Sequence, residues 1–421
     1  MSKLQRIRGF RDLLPSEAAL HRYIRDIFYK TAHAYGFGEI SLPIMEDINV
    51  FARGLGDSSD VVSKEMFLTA PRDDESGFAL RPEGTAGVVR AVIENGLQQS
   101  TPLKLYYEGP MFRYERPQKG RYRQFWQSGA ELIGVDNPLA DVEMIGLAWQ
   151  IMKNLGIDNQ VEIQINTLGD TESRNAYREA LVGYLSQYED ELSVDSKVRL
   201  HKNPMRILDS KDAGDKKIVS HAPKMDDYLT EKAKTWFADV CAGLDALNIP
   251  WVRNPLLVRG LDYYTHTAFE FVSTDESMGA QSTILAGGRY DGLVKQLGGS
   301  QVPGVGWAAG IDRLALIFED KDVTLKPTVM IPMGEDANKM ALNLVNDLRA
   351  QGFIIDQAFG GNMKKRLNKA DKSGAKFALI LGDDELSTNQ IIIRNLKSGE
   401  QIYTPILELP MKLAELGADT V

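Results

Sequence analysis

The chain of 421 residues is poor in the residues that build disulfide frameworks and metal sites. It has one cysteine, Cys241, and five histidines. A single thiol cannot form an internal disulfide, and neither residue type shows the spacing of a zinc site. We therefore exclude a disulfide scaffold and predict no metal ligand set.

Long apolar runs and an excess of positive charge are missing as well. No run of about 18 apolar residues occurs, and the start, MSKLQRIRGFRDLLP, lacks the apolar core of a signal peptide. We expect a cytoplasmic protein without a membrane span. The net charge of −9 argues against a protein that coats nucleic acid non-specifically, because that mode needs a broad positive field.

The two common glycine-rich phosphate loops are absent. Neither GxxxxGK[ST] nor GxGxxG after a predicted strand occurs in the sequence. If a nucleotide binds, side chains on a sheet must hold it, because no helix N-terminus of this kind is available.

Against this acidic background, RYERPQKGRYRQFWQ (113–127) concentrates arginine, lysine and aromatic residues. The flanking segments alternate apolar and polar residues, which predicts an antiparallel hairpin with PQKG in its loop. In a regular strand, Arg121 and Arg123 would share a face with Phe125. Guanidinium groups match phosphate oxygens and aromatic rings stack on bases, so the hairpin suits a nucleoside triphosphate. An exposed, charged hairpin without a ligand is the alternative that spacing leaves open.

The pattern of predicted elements divides the chain near residue 325. Residues 1–325 contain most of the predicted strands, with a helical and highly charged insertion at about 170–250. In 326–421, strands and helices alternate, which predicts a separate α/β domain with some parallel pairing.

Motifs in a specific order connect these observations to a family. FRYE, QKGRYRQF and GVGWAAGIDRLAL resemble motifs 2 and 3 of class II aminoacyl-tRNA synthetases. RGFRDLLP, LRPEGTA, LVRGLDYYTHTAFEF and AGGRYDGLV resemble the histidyl-tRNA synthetase family in particular, and GGNMKKRLNKADKSGAKFALILGDDEL extends the resemblance through the last domain. Each motif alone would be typical of a surface carboxylate, a sheet aromatic or a solvated helix; their joint order is specific.

The resemblance implies an α+β protein with a class II synthetase-type antiparallel sheet of six or seven strands, flanked by helices. It also implies a helical insertion and a C-terminal α/β anticodon-binding domain. The implied reaction joins L-histidine to tRNA(His) through a histidyl-adenylate, with ATP as substrate and Mg²⁺ accompanying it. GFGEISLPIMED (36–47) resembles motif 1, the dimer-forming segment, so a homodimer is expected.

The resemblance also assigns roles to residues of this sequence. Arg113 and Arg259 would act at the α-phosphate and be the catalytic pair. ATP would be bound by Arg113, Glu115, Arg121, Phe125 and Arg313, with Glu115 at the adenine amino group and Phe125 stacked on the base. Histidine would be bound by Glu83, Thr85, Gln127, Glu131, Tyr263, Tyr264 and Gly287. The tRNA would be contacted by Arg116, Gln118 and Lys119 in the hairpin loop, and by Lys364 and Lys365 in the last domain.

Two positions depart from the family pattern. Trp126 stands where a histidine or a smaller aromatic is common, and we expect it to face away from Phe125. His266 stands where arginine is frequent, and we assign it no catalytic role.

Two other functions compete with the main prediction. One is a non-catalytic regulatory subunit of ATP phosphoribosyltransferase, which is a paralogue of these synthetases. That protein would lack parts of VRGLDYYT and the anticodon module, and both are present here. The other is a related synthetase for glycine or proline.

Overall fold

A computed structural model describes residues 3–56, 59, 61–69, 77–258, 263–275, 278–279, 282–318 and 321–421 of the chain. The contacts divide the chain into two compact units, Met1–Asp322 and Val323–Val421. Within the described residues, the first unit contains an eight-stranded and a three-stranded sheet and the second a five-stranded sheet, and each unit has apolar cores of its own.

The first unit combines strands with helices of very different lengths. Its strands are β1 Gly38–Glu39, β2 Met45–Asp47, β3 Phe67–Leu68, β4 Phe78–Leu80, β5 Leu103–Phe112, β6 Gln124–Ile133, β7 Val161–Thr167, β8 Val252–Arg253, β9 Thr265–Ser273, β10 Thr283–Arg289 and β11 Gly304–Gly310. Its helices are α1 Pro15–Ala34, α2 Ile48–Leu55, α3 Thr85–Glu94, α4 Pro138–Leu155, α5 Thr171–Leu185, α6 Val194–Lys202, α7 Ala213–Val219, α8 Glu231–Ala246, α9 Leu293–Gln296 and α10 Ile311–Ile317.

The main sheet has the strand order β1-β5-β6-β11-β10-β9-β7-β8 within the described residues. The six strands from β5 to β7 in this order pair antiparallel. The two edge strands, β1 and β8, are two residues long and pair parallel. The prediction of a mainly antiparallel sheet of six or seven strands is therefore confirmed for the interior, and short parallel edges extend the sheet to eight strands.

The predicted hairpin is present, but its regular part is shorter than the sequence pattern indicated. β5 and β6 pair from Leu103 opposite Ile133 to Phe112 opposite Gln124. Residues 113–123 form a loop, in which Pro117 has no N–H to donate and Gly120 has a φ of 73°. The prediction that Arg121 and Arg123 share a strand face with Phe125 is wrong, because both arginines precede the first residue of β6.

Side chains alternate between two cores on opposite faces of the main sheet. Tyr106 and Phe269 belong to one core, which α1, α4 and α8 cover. Their sequence neighbours Tyr107 and Ala268 belong to the other core, which α2, α3 and α9 cover. The cavity described below opens beside this second core.

The insertion has a small core of its own, built from residues between Tyr177 and Met225. Helix α8 lies within the predicted range of 170–250, but Trp236, Val240 and Leu244 pack into the core of the main sheet. The part of the chain with a separate core therefore ends before α8.

A buried carboxylate holds the insertion together. Asp215 accepts hydrogen bonds from the N–H of Ser193 at 2.9 Å and from the hydroxyls of Ser193, Ser196 and Ser210 at 2.7, 2.7 and 2.5 Å. Burial would raise the pKa of Asp215, but these four donors lower it to about 2. The ionised carboxylate thus ties the start of α6 and the segment before α7 to one point.

The second unit is an α/β domain with a five-stranded mixed sheet in the described residues. Its elements are β12 Thr328–Pro332, α11 Glu335–Ala350, β13 Ile355–Gln357, α12 Met363–Lys372, β14 Phe377–Leu381, α13 Asp383–Ser387, β15 Gln390–Asn395, β16 Gln401–Pro405 and α14 Leu409–Glu415. Strand β12 pairs parallel with β13 and β14, and β14, β15 and β16 pair antiparallel. Apolar cores lie on both faces of this sheet.

Among the described residues, no helix has both the length and the apolar character that crossing a bilayer requires.

Replacing Asp215 with Asn should destabilise the insertion, because four donors lose their charged acceptor. We expect the free energy of unfolding to fall by about 2 kcal/mol, and protease cleavage within 171–228 to accelerate. Thermal unfolding and limited proteolysis measure these effects. Asp209→Asn changes an exposed carboxylate nearby and serves as the control; equal unfolding temperatures for the two variants would contradict the role of Asp215.

Candidate active site

A cavity of about 320 Å³ lies beside the sheet of the first unit. It brings together side chains from Glu83 to Arg313, which are 230 positions apart in the sequence. The predicted residues that line it are Glu83, Thr85, Arg113, Glu115, Arg121, Phe125, Gln127, Tyr263, Tyr264 and Arg313. One cavity therefore contains residues predicted to bind ATP and residues predicted to bind histidine.

Three arginines surround the end of the cavity next to the hairpin loop. Arg113 donates through Nε to the carbonyl of Pro82 at 2.9 Å, and its guanidinium lies 5.4 Å from the ring centroid of Phe125. Arg313 donates to the carbonyl of Thr283 at 2.8 Å. Burial, followed by the charge of Arg113, lowers the pKa of Arg313. These groups repel one another, so an anion entering this end would relieve the repulsion.

One carboxylate partly compensates this positive charge. Glu115 forms an ion pair with Arg121. Burial would raise the pKa of Glu115, but the hydrogen bond from Arg121 and the charge of Arg113 lower it. Glu115 is therefore ionised. Glu270 and Asp312 also line the cavity, and Asp312 is paired with Arg11. Three guanidinium groups against the two remaining carboxylates leave this end positive.

The other end of the cavity is lined by carboxylate, amide and phenol groups. Glu83 precedes α3 and accepts hydrogen bonds from the N–H groups of Thr85 at 2.7 Å and Ala86 at 2.9 Å. The rings of Tyr263 and Tyr264 contact each other with centroids 4.6 Å apart. Gln127 has a buried Oε1 without a hydrogen-bond partner among the described residues. A ligand that donates a hydrogen bond would satisfy that oxygen.

Glu131 lies beneath this end of the cavity and reaches it through two hydroxyl groups. It is fully buried and accepts hydrogen bonds from Thr85 Oγ1 at 2.7 Å and from the Tyr290 hydroxyl at 2.6 Å. Gly306 is its register partner on β11, and a Cβ at that position would overlap Glu131 Oε2. Burial raises the pKa of Glu131 to about 8.

Gly287 occupies a different place from the one predicted. Gly287 is not among the described lining residues, and a Cβ built on it would meet Trp307 Cβ at 2.6 Å and Phe269 Cζ at 2.7 Å, two side chains of the core that α1, α4 and α8 cover. Ala286 lines the cavity, and a Cβ on Gly288 would meet the Tyr264 ring at 2.8 Å. The alternation along β10 therefore points positions 286 and 288 toward the site and position 287 away from it.

Several cavity residues were not predicted. Tyr290 follows the AGGR stretch and donates a hydrogen bond to Glu131, and Tyr122, Glu270, Thr283 and Asp312 are among the other lining residues that were not predicted. Tyr290 had a sequence signal, because it belongs to the glycine-rich AGGRYDG motif. The others depend on which way a loop or strand turns its side chains.

The two departures from the family pattern lie away from the cavity. Trp126 packs against the core on the other face of the sheet, and the guanidinium of Arg25 lies 4.0 Å from its ring centroid. The expectation that Trp126 faces away from Phe125 is confirmed. His266 is buried with a φ of 46°, and its ring stacks on Trp236 at 4.7 Å.

The five residues predicted to contact tRNA are not part of the cavity wall. Arg116, Gln118 and Lys119 are exposed in the loop 113–123. Lys364 and Lys365 are exposed on α12 in the second unit. Arg259 lies outside the described residues, so its predicted convergence with Arg113 stays a prediction.

The sequence matches the family model of histidyl-tRNA synthetase over residues 9–314 and that of an anticodon binding domain over residues 328–416. The chain belongs to the histidyl-tRNA synthetase family. It is 53% identical over 402 residues to the histidine–tRNA ligase of Rhodospirillum rubrum, covering 95% of this chain and 96% of that protein. It is 48% identical over 409 residues to that of Gluconobacter oxydans, covering 97% and 98%.

A solved structure supports the same assignment. The apo histidyl-tRNA synthetase of S. aureus superimposes with a TM-score of 0.81 at 36% identity, covering 97% of this chain and 99% of that one. A Bacillus halodurans protein described as an ATP phosphoribosyltransferase regulatory subunit/histidyl-tRNA synthetase shares the fold, with a TM-score of 0.65 at 21% identity over 91% of this chain and 99% of that one.

The buried Glu131 should make folding stability depend on pH. Its folded pKa of about 8 exceeds the ordinary value, so the folded state keeps a proton that the unfolded state loses. The resulting stabilisation is complete below the ordinary pKa and is lost as the pH rises to about 8. Relative to Glu131→Gln, which cannot titrate, the wild type should lose at least about 1 kcal/mol of unfolding free energy between pH 5 and pH 8.

Denaturant unfolding at several pH values measures this difference. Glu39→Gln, at an exposed position, should follow the wild-type curve. Parallel curves for the wild type and Glu131→Gln would show that the buried carboxyl does not titrate in this range.

Proposed function

We propose that this protein attaches L-histidine to tRNA(His) in two steps, through a histidyl-adenylate formed from histidine and ATP. Its membership of the histidyl-tRNA synthetase family supports the reaction. The observation that carries the proposal for this site is the single cavity that joins three arginines to a pocket with buried hydrogen-bonding groups. Such a cavity can hold a triphosphate and an amino acid with their reacting atoms adjacent.

In the first step the histidine carboxylate attacks the α-phosphate of ATP and pyrophosphate leaves; in the second step histidine is transferred to tRNA and AMP leaves. The attacking carboxylate and the phosphate are both anions and repel each other. Arg113 would bind the α-phosphate, and Arg121 and Arg313 would bind the outer phosphates. Arg259, which lies outside the described residues, would reach the α-phosphate and the carboxylate of the substrate. Guanidinium groups held by fixed contacts stabilise charge on a pentavalent phosphorus without reorganising, which is electrostatic preorganisation. No side chain has to form a covalent intermediate.

Adenine would lie against Phe125, which the guanidinium of Arg113 also approaches. Glu115 would accept a hydrogen bond from the adenine amino group. Since Glu115 pairs with Arg121, phosphates that bind Arg121 would free the Glu115 carboxylate for the base. Mg²⁺ would enter with the triphosphate, and Glu115, Glu270 and Asp312 are carboxylates of the cavity lining near the arginines.

The other end of the cavity would select histidine. Glu83, Thr85 and Gln127 would bind the amino group, and Tyr263, Tyr264 and Glu131 would recognise the imidazole. Glu131 acts there through the hydroxyls of Thr85 and Tyr290, to which it is hydrogen-bonded. A wrong side chain would leave these buried groups unpaired, so the pocket would reject it strongly.

The second substrate, tRNA, would contact both units. Arg116, Gln118 and Lys119 at the tip of the hairpin loop would meet the acceptor end, and α12 of the second unit would contact phosphates near the anticodon. A homodimer in the cytoplasm is the expected assembly and location. Ile44 and Met45 of the motif 1 segment are 46% and 45% exposed, which fits a surface that a second subunit covers.

Pyrophosphate exchange into ATP with histidine present tests the adenylation step. Exchange that responds to histidine alone among the twenty amino acids would support the proposal. Absence of exchange would favour a regulatory subunit, and a response to glycine or proline would favour another synthetase.

In this assay, Arg113→Gln should lower the exchange rate by about 100-fold or more, because the variant loses charge at the reacting phosphate. Equilibrium binding of histidine should change by less than about threefold, since its pocket lies at the other end of the cavity. Arg178→Gln, at an exposed position on α5, is the matched control. Equal losses of exchange rate and of histidine affinity would show that Arg113 does not act selectively in the transition state.

Changing Lys364 and Lys365 together to Glu should raise the Michaelis constant for tRNA by about tenfold or more and leave pyrophosphate exchange intact. Each Lys→Glu substitution changes the charge of α12 by two units, so the double variant is four units more negative and would repel tRNA phosphates. Aminoacylation kinetics at two salt concentrations measure the effect. The double variant of Lys339 and Lys397 to Glu, both exposed in the same unit, matches the charge change. A loss of exchange in the Lys364/Lys365 variant would show that α12 serves something other than tRNA.

A further inference from the structure

The loop 113–123 has little regular structure, although it contributes several residues to the cavity. The β5–β6 ladder ends at Phe112 and Gln124, and the only further bridge in the described loop joins Gln118 and Arg121. Arg113, Glu115, Gly120, Arg121 and Tyr122 of this loop line the cavity. A few hydrogen bonds cross the loop, among them Arg113 N–H to the carbonyl of Arg123 at 3.0 Å, and contacts from outside the hairpin add to them.

Residues near the start of the chain provide contacts with the loop backbone and with one of its arginines. The N–H of Arg123 donates to the carbonyl of Gly9 at 2.8 Å, and the Arg123 guanidinium donates to the carbonyl of Arg8 at 3.3 Å. Gly9 has a φ of 91°, and a Cβ there would meet Arg123 Cγ and Cδ at 2.7 Å. The two segments thus approach too closely for any residue but glycine at position 9.

Aromatic rings extend this contact. Phe10 packs edge-on against Phe67 at 5.9 Å, and Phe67 packs edge-on against Tyr114 of the loop at 5.4 Å. The Arg123 guanidinium lies over the Tyr114 ring, 3.7 Å from the ring centroid. Each contact is modest in energy, but together they fix the loop on the side away from the cavity.

Arg11 connects this segment to two residues of the cavity wall. Its guanidinium lies 4.3 Å from the ring centroid of Tyr122 and donates to Asp312 Oδ1 at 2.7 Å. The other oxygen of Asp312 accepts from the N–H of Trp126 at 2.7 Å. Asp312 precedes Arg313 on α10, and Trp126 follows Phe125 on β6. Arg11 therefore contacts the loop at Tyr122 and, through Asp312, links the start of α10 to the start of β6.

The surroundings of Arg11 keep its guanidinium in place. Arg11 also donates to Glu17 Oε1 and to His21 Nε2, each at 3.2 Å. Since Nε2 of His21 accepts from a guanidinium, the His21 ring is neutral in this arrangement. A charged hydrogen bond to a carboxylate that is 4% exposed is far stronger than one at the surface.

We propose that residues 8–11, which we term the N-terminal strap, hold the loop 113–123 and Asp312 in the geometry that receives ATP, with Arg11 as the positioning residue. The inference rests on the proposed ATP site. Arg11 does not line the cavity, so it acts on ATP through Tyr122, Asp312 and the loop. Histidine would bind at the other end, where Glu83, Tyr263 and Tyr264 lie on segments other than the loop 113–123, so its binding should depend far less on the strap.

The test compares the two substrates in Arg11→Gln. We expect the Michaelis constant for ATP in histidine-dependent exchange to rise by about tenfold or more, since small misplacements of binding groups are costly. The Michaelis constant for histidine should stay within about twofold. Arg11→Lys, which keeps the charge near Asp312 but loses the planar contact with Tyr122, should recover part of the loss. Arg6→Gln, at an exposed position two residues before the strap, is the control.

A second variant tests the strap without removing a charge. Gly9→Ala places a Cβ against Arg123 and strains the backbone, so it should produce the same selective loss for ATP even where Arg11→Gln folds poorly. If Gly9→Ala leaves the Michaelis constant for ATP within twofold, or if it weakens both substrates equally, the strap has no positioning role.

Direct calorimetric binding of ATP to the wild type and to Gly9→Ala separates this inference from the proposed function. Weaker ATP binding in Gly9→Ala would support the strap even if the wild type showed no exchange with histidine, a result that would overturn the proposed function alone. Equal ATP binding by the two proteins would overturn the strap.

Discussion

The carboxyl group of Glu131, buried where water cannot reach it, constrains much of the structure around the cavity. A buried carboxyl needs hydrogen-bond partners, and Thr85 and Tyr290 supply them from two different segments of the chain. It also needs space, which the glycine at position 306 provides on the neighbouring strand. Strand register, the start of α3 and the turn after β10 must therefore agree at one point. An error in any of them would leave a polar group unpaired in the core, so this requirement makes the geometry of the pocket specific.

The cavity separates charge along its length, and this separation explains how an acidic protein holds anionic substrates. Arginines from the loop 113–123 and from α10 form one end, and buried carboxylates with phenols form the other. Local field, not the net charge of −9, decides what binds. The same arrangement keeps the two ends distinct, because a carboxylate near the arginines stays ionised while burial raises the pKa of Glu83 and Glu131 at the far end.

The sequence predicted the parts of this structure that depend on period and on motif order. Alternation located β5 and β6, and the change of pattern near residue 325 located the second unit close to the division after Asp322. It did not predict that the loop 113–123 leaves the ladder, because an arginine-rich strand and an arginine-rich loop have the same composition. Nor did it distinguish Gly287 from its neighbours, since which of three adjacent positions faces a cavity depends on the pairing of β10 with β9 and β11. Tyr290 and Asp312 were missed for a related reason: their roles arise from contacts with residues more than 150 positions away.

The strap explains how a loop without strand pairing can still present side chains in defined positions. Loops that bind ligands come from the less stable part of a fold, because they must also open and close. Here the stabilising contacts lie outside the loop and on the side away from the cavity, so they restrain Arg123, Tyr114 and Tyr122 without occupying the site. Arg11 joins residues 301 positions apart through its bond to Asp312. Because that bond forms only when the start of the chain has docked on α10, the geometry of the cationic end depends on the folding of the whole first unit and not on the hairpin alone.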